Sequence, residues 1–398
     1  MVPSFSKKEG GIVEIPLIAQ DRGLVRQAML QVQKKMDVVS SRNQDKLPYT
    51  TGADGRYDDR SRGEYAVGEG CSWWTNGFWG GLLWQMYYRT RQDKYRRYAI
   101  RCEEKLDACF EEYWGLNHDV GFMWLPTAVI HHRLVPNEES RKRGLRAADF
   151  LLSRFNPAGE FLRAWNDLPG EDTRGWAIID CMMNIPLLYW ASRETKDPRY
   201  AHAARCHAET VRKSFMREDG SFCHIVEFDP ETGARLRSHG GQGYAHGSAW
   251  TRGQGWALYG FARSYCYCGK PSHLRTAESV ARYCISQIRG DGFIPIDFRQ
   301  PEDSILEDNC GACVIACGML ELAGLTKDRE LAQQCIDTAM HILRRVLEQR
   351  CDWSESCDAI VQQCAASWYN STPITMNYAD YFLVEALLRL EGRELTIF

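Results

Sequence analysis

Stretches with almost no charge alternate along this chain with amphipathic, charged ones, and that alternation limits the fold more than any other feature. The first kind includes the runs from Gly77 to Trp84, Gly175 to Met183, Trp256 to Phe261, Asn309 to Leu322 and Tyr381 to Leu388. None keeps the strict alternation of a half-buried strand, and the period suits helices buried on most sides. The second kind opens on Asp93, Asp197, Ser272 and Asp328, helix-entry residues, with Pro198 suited to a first helical turn. Apolar positions then recur at helical spacing with charges opposite. The pattern predicts helices near 22–40, 73–90, 94–113, 121–134, 138–155, 176–194, 198–215, 248–267, 272–289, 309–325, 329–349 and 376–391. A loose repeat of about 50–75 residues per helix pair signals stacked hairpins. Twelve helices of two alternating kinds suggest an all-α ring of six hairpins, an (α/α)6 barrel with buried helices inside and charged ones outside. An open solenoid is the alternative, but no polar capping repeat closes the ends. Short β pieces are expected at 221–228 and 292–298, the first followed by a turn at Asp229-Pro230.

With no linker in view, one domain over 1–398 is expected. Of the 398 residues, 44% are hydrophobic and 25% charged, which excludes a disordered chain. The formal charge of −3 and the absence of a long basic run argue against a nucleic-acid or membrane-surface partner. No apolar stretch reaches the length of about 18 residues needed to span a bilayer, and Met1–Gln20 lacks an apolar signal core, so a soluble, cytoplasmic protein is expected. The sixteen cysteines then read as reduced, buried thiols. Cys310, Cys313 and Cys317 have a metal-like spacing, yet they sit in a small-residue helix without a matching pair or nearby His, so no metal is expected. Neither a Gly-rich phosphate loop, a serine-hydrolase elbow nor H-E-x-x-H occurs.

Chemistry is expected where polar side chains interrupt the apolar segments. Asp180 is enclosed by Trp176, Ala177, Ile178, Ile179, Cys181, Met182 and Met183, and burial without a cation raises a carboxyl pKa toward what a general acid needs. A structural Asp bonded to a neighbour such as Asn184 is the alternative. Asp119 precedes an apolar helix, and its simplest role is to cap it. Together the two aspartates would give the paired carboxylates of sugar chemistry. The Gly-rich run from Gly240 to Gly247 leads into Trp250, Arg252 and Trp256, where backbone can approach a ligand, indoles can stack on a sugar, and an arginine can pair with a carboxylate. Trp73, Trp74, Trp79 and Trp165 add to an aromatic cavity, and thirteen Trp modestly favour a sugar site. His224 reads equally as a ligand-facing or a structural histidine.

These residues carry a resemblance. Trp74 to Trp79, His118 to Phe122, Ile178 to Leu188, Ser248 to Trp256 and Asp380 to Leu390 resemble, in order, the motifs of the unsaturated glucuronyl hydrolases, glycoside hydrolase family 88. The resemblance covers roughly Trp73 to Leu390, and residues 1–70 match weakly as the N-terminal part of the same domain. It implies an (α/α)6 barrel that removes the terminal 4,5-unsaturated uronic acid from lyase-generated oligosaccharides of glycosaminoglycan type. It further implies hydration of the C4=C5 vinyl ether, with Asp180 as acid/base and Asp119 as its partner. Trp74, His224, Gln242, Trp250, Arg252 and Trp256 would line the sugar subsite, without metal or organic cofactor. His246 departs from the family pattern, which has an acidic residue there. The stretch from Cys351 to Thr375 is dissimilar and lacks a Lys/Arg cluster for a sulfate, so unsulfated disaccharides are the expected substrates. Three alternatives remain: an unsaturated rhamnogalacturonyl hydrolase acting on pectin fragments, a non-catalytic sugar-binding barrel, and, more weakly, an epimerase.

Overall fold

The computed structural model describes residues 15, 17–61, 70–111, 113–166, 170–393 and 395–398, so part of the weakly matching N-terminal stretch lies outside the described residues, while the expected 94–113 helix is broken into two helices and a 3-10 turn at Tyr113–Gly115. In chain order, α1 (Ala19–Arg42) is followed by a 3-10 turn (Gly70–Ser72), α2 (Asn76–Thr90), α3 (Asp93–Lys105) and α4 (Ala108–Glu111). The fourth expected helix is two short helices, α5 (Val120–Trp124) and α6 (Ile130–Leu134), joined by a π-helical turn at Leu125–Val129. Pro126 lies in that turn, where it has no N–H for the regular ladder. Next come α7 (Glu138–Ser153), the small hairpin β1 (Phe155–Asn156) and β2 (Phe161–Leu162), and β3 (Trp176–Ile178). Then follow α8 (Pro186–Thr195), α9 (Pro198–Ser214), β4 (Ile225–Phe228) and β5 (Arg235–His239). The chain ends with α10 (Thr251–Cys268), α11 (Pro271–Gln287), α12 (Asn309–Ala323), α13 (Arg329–Gln349) and α14 (Asn377–Leu390).

The apolar segments form the inner wall: α2, the α5–α6 pair, α8, α10, α12 and α14 pack in sequence, and α14 returns to α2. Each is backed by an amphipathic partner, α3, α7, α9, α11, α13 and α1 in turn. That is the (α/α)6 barrel. The inner helices point the same way, since partners join like ends. Arg252 at the start of α10 meets Asp308 at the cap of α12, while Arg263 and Glu321 join the two C-terminal ends. Arg389 at the end of α14 completes that far cluster through Glu321. The inner helix N-termini therefore gather at one end of the ring, where their partial positive charge favours anions.

Asp197 and Asp328 cap α9 and α13 as expected, their carboxylates accepting from the Arg199 and Leu331 N–H groups. Asp93 lies inside the first turn of α3, and α11 opens on Pro271, so Ser272 does not cap. The expected helix over 176–194 is a correction. Trp176–Ile178 is a strand, Ile179–Met183 is a 3-10 turn, and the α-helix starts only at Pro186. A short apolar run suits strand or helix equally, and here edge pairing with β4 decides. The piece expected at 221–228 becomes β4, whereas 292–298 contributes only isolated bridges, Trp250 to Asp297 and Pro295 to Glu307. Cys310, Cys313 and Cys317 are buried along α12, and all sixteen cysteines are thiols.

Candidate active site

A three-stranded antiparallel sheet, β3–β4–β5, delivers the first pair of site residues. Ile178 pairs with Ile225, and just beyond that register the Ile179 N–H donates to the His224 carbonyl at 3.0 Å. The strands thus end with Asp180 and His224 side by side, Nε2 of the imidazole 3.6 Å from Asp180 Oδ2. The His224 ring is held from behind, because its Nδ1 accepts the Gln242 N–H at 3.0 Å. A neutral imidazole accepting at Nδ1 carries its proton on Nε2, facing the carboxylate. Gly241 makes this clamp possible. Its φ is +58°, and a Cβ there would lie 2.0 Å from His224 Nδ1.

Asp119 arrives from the start of α5, and there the capping expectation is corrected. Its side chain makes no cap hydrogen bond, and its backbone has φ −81° and ψ 6°. The carboxylate turns instead to Asn184, whose Nδ2 donates to Asp119 Oδ1 at 3.2 Å and to the Asp180 carbonyl at 3.2 Å. Asn184 Oδ1 accepts the Phe122 N–H at 2.7 Å, so one amide ties α5 to the Asp180 turn. The close approach needs Gly121, where a Cβ would meet Asn184 atoms at 2.5–2.7 Å. Asn184 thus binds the neighbouring carboxylate and the Asp180 backbone, leaving Asp180 Oδ2 buried without a hydrogen-bond partner in the protein.

The electrostatics follow from that arrangement. Burial, then the nearby charge of Asp180, pushes Asp119 well above the ordinary carboxylate range, only partly opposed by the Asn184 hydrogen bond and Arg154. His118, with Nε2 3.5 Å from Asp119 Oδ1, is no compensating cation. Burial, with Arg154 and two other histidines, holds its pKa well below the usual value. Two like charges in a dry site do not both ionise readily, so Asp119 retains its proton into a range where an isolated Asp has lost it. Asp180 is the more accessible partner, its side chain 14% exposed against 10% for Asp119.

The Gly-rich segment supports the site more than it lines it. Trp250 is 1% and Trp256 0% exposed. Trp256 packs on Phe122 and Phe382, so its expected place on the cavity wall is corrected to the core beneath. Trp250 lies between the His224 ring, 4.3 Å away, and the Arg252 guanidinium, 4.7 Å away. Arg252 is likewise engaged by the protein. Its Nη1 binds Asp308 Oδ2 at 2.6 Å and the Ala365 carbonyl at 2.9 Å, and Nη2 binds the Ala366 carbonyl at 3.0 Å. A buried guanidinium so held fastens the 365–368 segment to the barrel mouth. Gln242 does the same, Nε2 donating to Ala366 and its carbonyl accepting from the Trp368 N–H. Trp74 keeps partial exposure, its ring against Phe122 and Tyr378. His246 is exposed on the rim. The double role of Asn184, and Arg154, were missed by sequence reasoning; a lone amide or arginine in a long chain gives no signal of what it reaches. Among the described residues no helix is long and apolar enough to cross a membrane.

Comparison with known proteins agrees with this fold. The model of Glycosyl Hydrolase Family 88 matches residues 34–289. The unsaturated glucuronyl hydrolase of Bacillus sp. (strain GL1) is 35% identical over 328 residues, 80% of this chain and 86% of that protein. An unsaturated chondroitin disaccharide hydrolase of Streptococcus pyogenes serotype M1 is 32% identical, over 82% of this chain and 83% of its own length. The crystal structure of the Bacillus sp. GL1 protein superposes with a TM-score of 0.85 at 31% identity, covering 92% of this chain and 97% of that one. The family match spans most of the chain, and paired aspartates stand at the mouth of the same barrel. This chain belongs to glycosyl hydrolase family 88, a family of glycosidases.

Proposed function

We propose that the protein is an unsaturated glucuronyl hydrolase, removing a terminal 4,5-unsaturated uronic acid from lyase-generated, glycosaminoglycan-type oligosaccharides. The observation that carries this reading is the two neighbouring carboxyls at the mouth of the barrel, with Asp180 Oδ2 unpartnered and Asp119 beside it retaining a proton. Asp180 delivers a proton to C4 of the vinyl ether, leaving positive charge shared between C5 and the ring oxygen. Water adds at C5 as the Asp180 carboxylate takes its proton. The resulting hemiketal opens, the glycosidic bond breaks, and a keto sugar and the second sugar depart. One water is consumed and the acid is regenerated, so the residues need no redox partner. Asp119 tunes Asp180 by sharing the proton, and His224, Trp74 and Gln242 shape the subsite around the unsaturated ring. Trp250, Trp256 and Arg252 act from behind, by holding His224, Phe122 and the 365–368 segment. A single domain and a cytoplasmic setting, which would keep the cysteines as thiols, belong to the same reading.

The test is incubation with unsaturated glycosaminoglycan and pectin disaccharides while following the ultraviolet absorbance of the double bond. Loss of absorbance with the glycosaminoglycan fragments supports the reading. Consumption of rhamnogalacturonan fragments alone moves the activity to pectin, and binding without turnover would make the barrel a sugar receptor. Unsulfated chondroitin disaccharide is expected to react faster than its sulfated form.

A further inference from the structure

We propose that His239, held by Glu227 and seated on Trp176, forms the contact surface for the second sugar, the one that leaves; this rests on the function proposed above. The placement of the tryptophans raises the question. With Trp250 and Trp256 buried, partly exposed aromatic surface remains at Trp73 and Trp74 and, in a separate aromatic row, at Trp165 and His239. That row lies on one face of the β3–β4–β5 sheet, where Trp176, Ile178 and Ile225 form a small apolar cluster apart from the main core, with Trp165 against it.

Both ends of the row run into the site. Ala164, next to Trp165, accepts the His118 N–H at 3.0 Å and donates to the Trp176 carbonyl at 2.8 Å. His239 pairs with Ile225, the residue after His224, and stands three residues before Gln242. Its imidazole lies over the Trp176 indole at 4.6 Å and 34°. The open side of the ring is the outer surface of the row, the side chain remaining 25% exposed.

The imidazole is also fixed in orientation. His239 Nε2 lies 2.9 Å from Glu227 Oε2, which also accepts from Arg237 Nε at 2.7 Å. With Nε2–H donated to the carboxylate, Nδ1 is left for a ligand, as acceptor in the neutral ring and donor in the cation. A sugar hydroxyl can answer either state, and Trp176 beneath holds the imidazole in place. Glu227 and Arg237 neutralise each other beside it, which suits an uncharged hexose or N-acetylhexosamine.

The experiment compares the unsaturated chondroitin disaccharide with the methyl glycoside of the same unsaturated uronic acid, which has no second sugar. His239→Ala is expected to raise KM for the disaccharide roughly 10-fold, keep kcat within about 2-fold, and leave KM for the methyl glycoside unchanged. His239→Phe, which keeps the ring on Trp176, and Glu227→Gln, which loosens the imidazole, should give smaller shifts in the same direction. Equal shifts on both substrates, or none on the disaccharide, overturn the assignment while wild-type turnover of the methyl glycoside leaves the proposed function standing. A wild-type protein that consumes neither substrate overturns the function and this subsite with it.

Discussion

At the residue scale, Asp119 joins activity to stability. Burial and the charge of Asp180 raise its folded pKa, whereas in the unfolded chain it ionises near pH 4, an ordinary value of about 3.9. Between those values the folded state holds a proton that the unfolded state has released. The stabilisation is therefore full below the unfolded pKa and is lost as pH rises through the folded one. Asp119→Asn has no proton to lose. Denaturant unfolding at pH 7 is expected to show it more stable than wild type, with the gap closing as pH falls toward 4, while kcat falls by about 10²-fold or more. A variant less stable than wild type at pH 7 would contradict the burial argument. Asp180 stood out in the sequence as a carboxylate among apolar neighbours, yet in the fold it is only half-buried and the burial cost falls on Asp119. The orientations of Arg252 and Trp256 were not legible, since a helix-start motif does not tell which side chains face the cavity and which face the next helix.

At the element scale, the turn after β5 holds His224 through one N–H from Gln242. Gly241→Ala places a methyl group on the imidazole at a positive φ, so the turn must move. Steady-state kinetics are expected to show kcat/KM lower by at least about 10-fold with little change in thermal midpoint, since the turn lies on the rim. Unchanged kinetics would mean that His224 needs no clamp. The strand at Trp176–Ile178 escaped the sequence reading for a related reason. Its partners are Ile225–Glu227, about fifty residues later, and the apolar period of a three-residue strand cannot be told from the start of a buried helix. Helices with strong periodicity, such as α9 and α13, carried their own caps and were readable.

At the scale of the whole molecule, the two ends of the barrel have divided tasks. The N-terminal ends of the inner helices hold the carboxylates, and the far end holds a buried ionic cluster of Arg263, Arg389 and Glu321. Burial pushes Glu321 up, but the two guanidiniums more than offset it and keep it ionised well below the usual range. Phe398 seals that end, its main-chain oxygen accepting from Arg263 Nε at 2.7 Å and its ring stacked on Phe382. Glu321→Gln removes the carboxylate shared by two buried cations and is expected to cost about 3–5 kcal/mol in chemical denaturation. Well below the new midpoint, KM should not change, because the cluster stands at the opposite end from the site. Six hairpins closed into a ring could be read from the alternation of helix kinds. The seal at the far end could not, because the short stretch after α14 has no period of its own.

The central claim is that a proton from the aspartate pair reaches an alkene carbon. The most direct measurement is NMR of the early product from the unsaturated disaccharide in D2O, with wild type and Asp180→Asn side by side. The account predicts one deuterium at C4 of a keto sugar with the double bond gone, and a kcat for the variant lower by ~10²–10⁴-fold. A released uronic acid that still carries its double bond, or a variant that consumes the alkene at the wild-type rate, would contradict it.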